Sequence, residues 1–263
     1  ISRLLQREMK KKGIAVELAR TVTATTPTGT GVSVEIGASP FVEVANPPAP
    51  RTLEADAVCV TVGRVPHTDG LGLDAAGVKD DARGWIEADD FLETSVPGVY
   101  AIGDCVFGKA QLAHTASAMG EVAAENIMGI PAVYDEKTNP TCVYIEPEAA
   151  SVGLTEEQCK AQGLEYKVGK FPMSANGKAL ILNGGEGLVK IIAGKKYGEI
   201  LGMHIIGPRA TDLICEGALA IEGEMTLDEI IATIHSHPTV TETMRECALD
   251  ALGRAVHIPP RRK

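Results

Sequence analysis

The run Ala57-Val58-Cys59-Val60-Thr61-Val62, stopping at Gly63-Arg64, constrains what this chain can fold into more than any other segment. Its residues are apolar or β-branched throughout and present no polar face to water. Such a strand is stable when covered on both faces, as in a parallel sheet flanked by helices. Gly98-Val99-Tyr100-Ala101-Ile102 repeats the pattern and stops at Gly103-Asp104. A helix over 113–128 follows, rich in alanine and ended by Gly129 with Pro131 beyond. Its small residues Ala116, Ala118, Gly120, Ala123 and Ala124 suit close packing on a sheet.

The segments on either side differ in texture. Residues 1–9 read as a helix, whose basic end Arg7, Lys10, Lys11 and Lys12 complements the helix dipole before Gly13. Strands are expected at 14–18, 32–36 and 41–44, with Thr- and Pro-rich turns between them. Beyond residue 139 the pattern becomes that of hairpins. Two apolar strands, 187–192 and 199–206, flank Gly194-Lys195-Lys196-Tyr197-Gly198. Thr155-Glu156-Glu157-Gln158 and Thr226-Leu227-Asp228-Glu229 are capping boxes that start helices. Pro238 sits where a first helical residue would stand. The fold class is α/β, passing into an α+β layer.

The 263 residues carry 25 Lys+Arg against 35 Asp+Glu, a formal net charge of −10. That field repels phosphate backbones and argues against a nucleic-acid partner. No apolar run reaches the roughly 18 residues of a membrane span. Cys59, Cys105, Cys142, Cys159, Cys215 and Cys247 are scattered, without a CxxC or zinc spacing. They read as reduced thiols of an intracellular protein, with the cytoplasm as the expected compartment.

Three constellations could carry chemistry. Asp104 closes a buried strand, where a carboxylate can accept from sugar hydroxyls or simply end a turn. Leu112, Ala113 and His114 begin a helix whose N–H groups could face an electron-rich ring edge or merely start the helix. In His235-Ser236-His237-Pro238-Thr239-Val240-Thr241-Glu242, Glu242 could fix the tautomer of His237 and raise its basicity. Two surface histidines before a helix are the bland alternative. No G-x-G-x-x-G lies between a strand and a helix, so no dinucleotide phosphate cradle is legible.

In order along the chain, Thr61-Val62-Gly63-Arg64-Val65-Pro66, Tyr100 to Cys105, Leu112-Ala113-His114, Tyr144-Ile145-Glu146-Pro147-Glu148, Gly202-Met203-His204-Ile205-Ile206-Gly207-Pro208 and His235-Ser236-His237-Pro238-Thr239 resemble the dihydrolipoamide dehydrogenase family of flavoprotein disulfide reductases. Each motif is modest; their ordered series is specific. The resemblance implies the end of an NAD-binding domain over 1–66, the returning part of an FAD-binding domain over 67–138, and a dimerisation domain over 139–263. It implies that Gly63 lies near NAD, that Asp104 holds the ribityl chain of FAD, and that backbone N–H groups at Leu112, Ala113 and His114 meet the flavin edge.

By the same resemblance, His237 is the general base and Glu242 its orienting partner. They serve the redox disulfide of the other subunit in a homodimer, with a lipoyl domain of a 2-oxo acid dehydrogenase or glycine cleavage complex as substrate carrier. The family's redox cysteine pair and phosphate-binding glycines are not in this sequence. With Ile1 already inside a helix, the expectation is a C-terminal half cut within the NAD domain. Other disulfide reductases of the glutathione or mercuric type, and a non-catalytic dimerisation module, are the alternatives.

Overall fold

The computed structural model describes residues 1–259. The chain divides into two compact units, residues 9–65 and residues 1–8 with 66–259. The opening segment forms α1 (Ser2–Lys11), as its sequence predicts, with Lys10 and Lys11 in the last turn.

In the smaller unit, β1 (Arg20–Pro27), β2 (Val32–Ala38) and β3 (Arg51–Ala55) make an antiparallel sheet in that order. Val22 faces Ile36 and Val34 faces Leu53, with a bulge between Val22 and Ala24. Val34 and Ile36 are its buried hydrophobic side chains, and Glu17 pairs with both Arg20 and Arg51. The Thr-rich stretch expected as turns is therefore β1: β-branched threonine suits a pleated, half-exposed surface. No strand forms at 14–18 or 41–44.

The run 57–62 is a further correction. It is irregular chain, with Val60 and Val62 74% and 94% exposed. A central strand exists only through its neighbours, and among the described residues none pairs with it. The segment 98–102 likewise forms one bridge, Glu93 to Tyr100, rather than a strand.

In the larger unit, α2 (Leu73–Ala76) and α3 (Ala113–Ile127) accompany short bridges. A small core of Val78, Ile86, Leu92, Val106 and Met119 holds this region together. Nδ2 of Asn126 lies within hydrogen-bond reach of the carbonyls of Phe91, Val122 and Ala132, and its Oδ1 accepts the Ala132 N–H, closing the end of α3 onto the following loop.

The remainder is a five-stranded antiparallel sheet in the order β4 (Thr141–Val143), β5 (Ala149–Gly153), β8 (Ile200–Ile206), β7 (Leu188–Gly194), β6 (Tyr166–Pro172). The expected hairpin is β7–β8, with Ile191 opposite Met203 and Val189 opposite Ile205. Both capping boxes form, opening α4 (Glu156–Ala161) and α7 (Leu227–Ala232). Two further helices are α5 (Gly177–Asn183), capped by the Asn176 side chain, and α6 (Ala210–Glu222), which starts after a left-handed Arg209 with no side-chain cap.

Helix α8 (Glu242–Ala251) packs on β6 and β7, and α6 packs on β5 and β8. Val189, Ile191, Met203, Ile205, Ile214 and Met244 form the core between them. Gly169 lets α8 approach β6, since a Cβ there would overlap the Cys247 carbonyl. Asp250 then accepts the Lys170 N–H at 2.7 Å. Pro238 does not open α8: the His237–Pro238 peptide is cis and the helix begins at Glu242. Among the described residues no helix is long and apolar enough to cross a membrane.

Candidate active site

The loop between α7 and α8 carries His237, whose side chain is 80% exposed. Its Nδ1 lies 2.9 Å from Oε1 of Glu242, the first residue of α8. The other carboxylate oxygen, Oε2, accepts the Thr239 N–H at 3.0 Å. Burial pushes the Glu242 carboxyl up, but the Thr239 N–H and the His237 ring together outweigh it and hold the group below the usual carboxylate range. A carboxylate facing Nδ1 requires the proton on Nδ1, so in the neutral ring Nε2 carries the lone pair. That is the arrangement of a general base with its orienting partner.

The loop is braced from several sides. Asn176, buried before α5, donates through Nδ2 to the Thr239 carbonyl at 3.0 Å while Oδ1 accepts the Ala179 N–H. Thr239 donates through Oγ1 to the Ser236 carbonyl at 2.6 Å. His235, two residues before the candidate base, is 4% exposed and pairs through Nε2 with Glu216 on α6 at 2.8 Å. A cavity of about 480 Å³ is lined by Asn176, Ile234, His235, His237, Glu242 and Arg245 among others. Asn176 and Glu216 were not legible in sequence. Each acts on a loop far along the chain, and only the helix-capping role of Asn176 before Gly177 has a local signature.

The second predicted group lies in the same unit. Asp104 is exposed within a 3-10 turn, Gly103–Cys105, whose Gly103 takes a left-handed φ of 76°. Its carbonyl receives Nε2 of Gln111 at 3.4 Å, tying that turn to the approach to α3. At the start of α3, Leu112 provides no side-chain cap, and Ala113 and His114 are exposed. The His114 ring reaches the Pro140 carbonyl through Nε2 at 3.0 Å. Exposed helix N–H groups beside a carboxylate are a donor and acceptor set suited to a flavin edge and its polyol chain.

Gly63 lies in the smaller unit. It is exposed with a φ of 139°, and an added Cβ would meet nothing within 4 Å. Cys105 donates its thiol to the Ile102 carbonyl, and burial pushes that thiol up, away from a reactive thiolate. All six cysteines are free. Among the described residues no cluster of three or more metal-ligating side chains forms.

Residues 1–120 match the pyridine nucleotide-disulphide oxidoreductase family, and residues 139–248 match its dimerisation domain. The chain is 44% identical over 255 residues to a dihydrolipoyl dehydrogenase of Geobacillus stearothermophilus, covering 97% of this chain and 52% of the relative. It is 43% identical over 262 residues to one of Bacillus subtilis (strain 168), covering 98% and 53%. The crystal structure of LpdA from Mycobacterium tuberculosis superimposes with a TM-score of 0.82 at 26% identity, over 94% of this chain and 51% of that one. The chain thus spans about half the length of the curated relatives it matches. With both family regions present in order, the chain belongs to the pyridine nucleotide-disulphide oxidoreductases.

Proposed function

We propose that this chain is the half of a dihydrolipoyl dehydrogenase that supplies the general base, the flavin-edge helix and the dimer interface. The observation that carries the reading is the His237 Nδ1 to Glu242 contact of 2.9 Å on a side chain that is 80% exposed. His237 takes the proton of a dihydrolipoamide thiol at Nε2. Glu242 stabilises the ring as it becomes cationic and keeps the Nδ1–H tautomer ready between turnovers. The thiolate so formed is the nucleophile towards a redox disulfide, which we place outside this chain, since its own cysteines are dispersed.

FAD, when bound, carries electrons in pairs from the disulfide to the pyridine nucleotide. Asp104 would hold its polyol hydroxyls, and the N–H groups of Leu112, Ala113 and His114 its pyrimidine edge. Gly63, exposed in the smaller unit, would lie near the pyridine nucleotide.

The domain division we propose runs 1–66, 67–138 and 139–263. The boundary between compact units after Val65 supports the first cut, with residues 1–8 grouping with the larger unit instead, and the start of the dimerisation match at residue 139 supports the second. A homodimer would cover the exposed Tyr144, Ile181, Leu219 and Ile234 and bring His237 to the other subunit's disulfide. The carrier of the substrate is a lipoyl domain of a 2-oxo acid dehydrogenase or glycine cleavage complex. The free thiols suit a reducing compartment, the cytoplasm.

Purified alone with added FAD, the 263-residue chain is expected to show no lipoamide turnover. Joined to the part of the Geobacillus stearothermophilus protein that lies outside the match, it is expected to oxidise dihydrolipoamide. A folded, FAD-loaded joined protein without turnover would overturn the reading.

A further inference from the structure

His235 has both ring nitrogens against oxygen atoms. Nδ1 lies 3.1 Å from the Thr233 carbonyl and Nε2 lies 2.8 Å from Oε1 of Glu216. A carbonyl and a carboxylate oxygen both accept, whereas a neutral imidazole has one N–H to give. The ring is 4% exposed, so the unpaired nitrogen of a neutral form would face an acceptor with little access to water. We propose that His235 is a charged positioning residue, an imidazolium stapled between Glu216 and the Thr233 carbonyl that fixes the loop presenting His237. The part played towards His237 rests on the reading of that residue as the base; the charge state of His235 does not.

The staple lies where it can act on the loop. Thr233 caps the C-terminus of α7, and Glu216 belongs to α6. The ring therefore ties the departing end of α7 to a second helix, four residues before His237. On the other side of His237, Asn176 and Glu242 hold Thr239. His237 is thus suspended between two anchored points, and its own ring makes the Glu242 contact from there.

The groups facing His235 act in opposite directions. The Glu216 hydrogen bond raises its proton affinity, burial opposes it, the Glu216 charge and the Thr233 carbonyl add to the rise, and Arg245 on α8 opposes it. The net direction is upward. Arg245 is itself tied through Nε to the Ile231 carbonyl at 3.0 Å. The remaining titratable groups around the same cavity are His237, Glu242, Glu246 and His257. Because the folded ring holds its proton more tightly than an unfolded one, the staple is complete below the ordinary histidine range, about pH 6.5, and is lost as pH rises through the higher folded value.

The test is a pH titration of the ¹⁵N-labelled full chain by long-range ¹H–¹⁵N correlation, which separates a charged ring from either neutral tautomer. His235 is expected in the charged form at pH 7. Glu216→Gln keeps an acceptor but removes the charge, and is expected to lower the His235 midpoint by about one pH unit or more. In the wild type, the His237 Nδ1–H signal is expected to broaden as pH passes the His235 midpoint. In Glu216→Gln the broadening should move down by the same interval, which a loss of stability alone would not produce. A neutral His235 at pH 7, a midpoint unmoved in the variant, or a His237 signal that ignores the titration would each overturn the proposal. None of these readouts requires turnover, so they stand or fall separately from the base role.

Discussion

His237 Nδ1 and Glu242 Oε1 stand 2.9 Å apart across the junction of a loop and a helix. Residues five apart do not face each other on a helix. The contact exists because His237 lies before α8, while the Thr239 N–H turns the Glu242 carboxylate back towards the loop. In the joined protein, Glu242→Gln is expected to reduce turnover by less than removal of the base itself. Without the carboxylate the Nδ1–H tautomer loses its charged acceptor and the cationic ring its counter-charge, so the pH–rate profile should fall throughout. An unchanged profile would separate Glu242 from the chemistry.

The same pair predicts a pH dependence of stability. Glu242 has its carboxyl lowered in the folded state. Its contribution is therefore present above the unfolded value, about 4.3, and is lost as pH falls through the lower folded value. Denaturant titrations of the chain from neutral to acid pH should show a shallower acid loss in Glu242→Gln than in the wild type.

Packing beneath the site is equally specific. Gly169→Ala places a Cβ against the Cys247 carbonyl and Ala251, forcing α8 away from β6. A cost of about 1–3 kcal/mol is expected, read as a lower urea midpoint. The N-terminal cap of α7 gives a second test: Thr226→Ala removes its capping-box hydroxyl and should cost about 1 kcal/mol. A midpoint equal to the wild type's in either variant would contradict the packing described.

Asp104→Ala in the joined protein should lower the FAD retained on purification, read from the visible flavin spectrum per chain. Full flavin occupancy in dilute solution would remove Asp104 from the flavin site.

The parts of this architecture written in local signals were legible in the sequence. The β7–β8 hairpin announces itself through two apolar runs about a glycine-bounded turn, and α4 and α7 through their capping boxes. His237 and Glu242 were legible because both belong to one short motif. What failed depends on distant neighbours. The 57–62 run has the composition of a central strand, but composition supplies no hydrogen-bonding partner, and the segment lies open. Threonines of β1 resembled turn residues until paired with β2. Glu216 sits nineteen residues before His235 on another helix, a pairing that no period or spacing encodes.

The most direct measurement is the turnover of dihydrolipoamide by the joined protein carrying His237→Gln, with FAD content matched to the wild type. The account predicts a loss of about 10²–10⁴-fold in kcat, the range for removing a general base. Turnover within a few-fold of the wild type would contradict it.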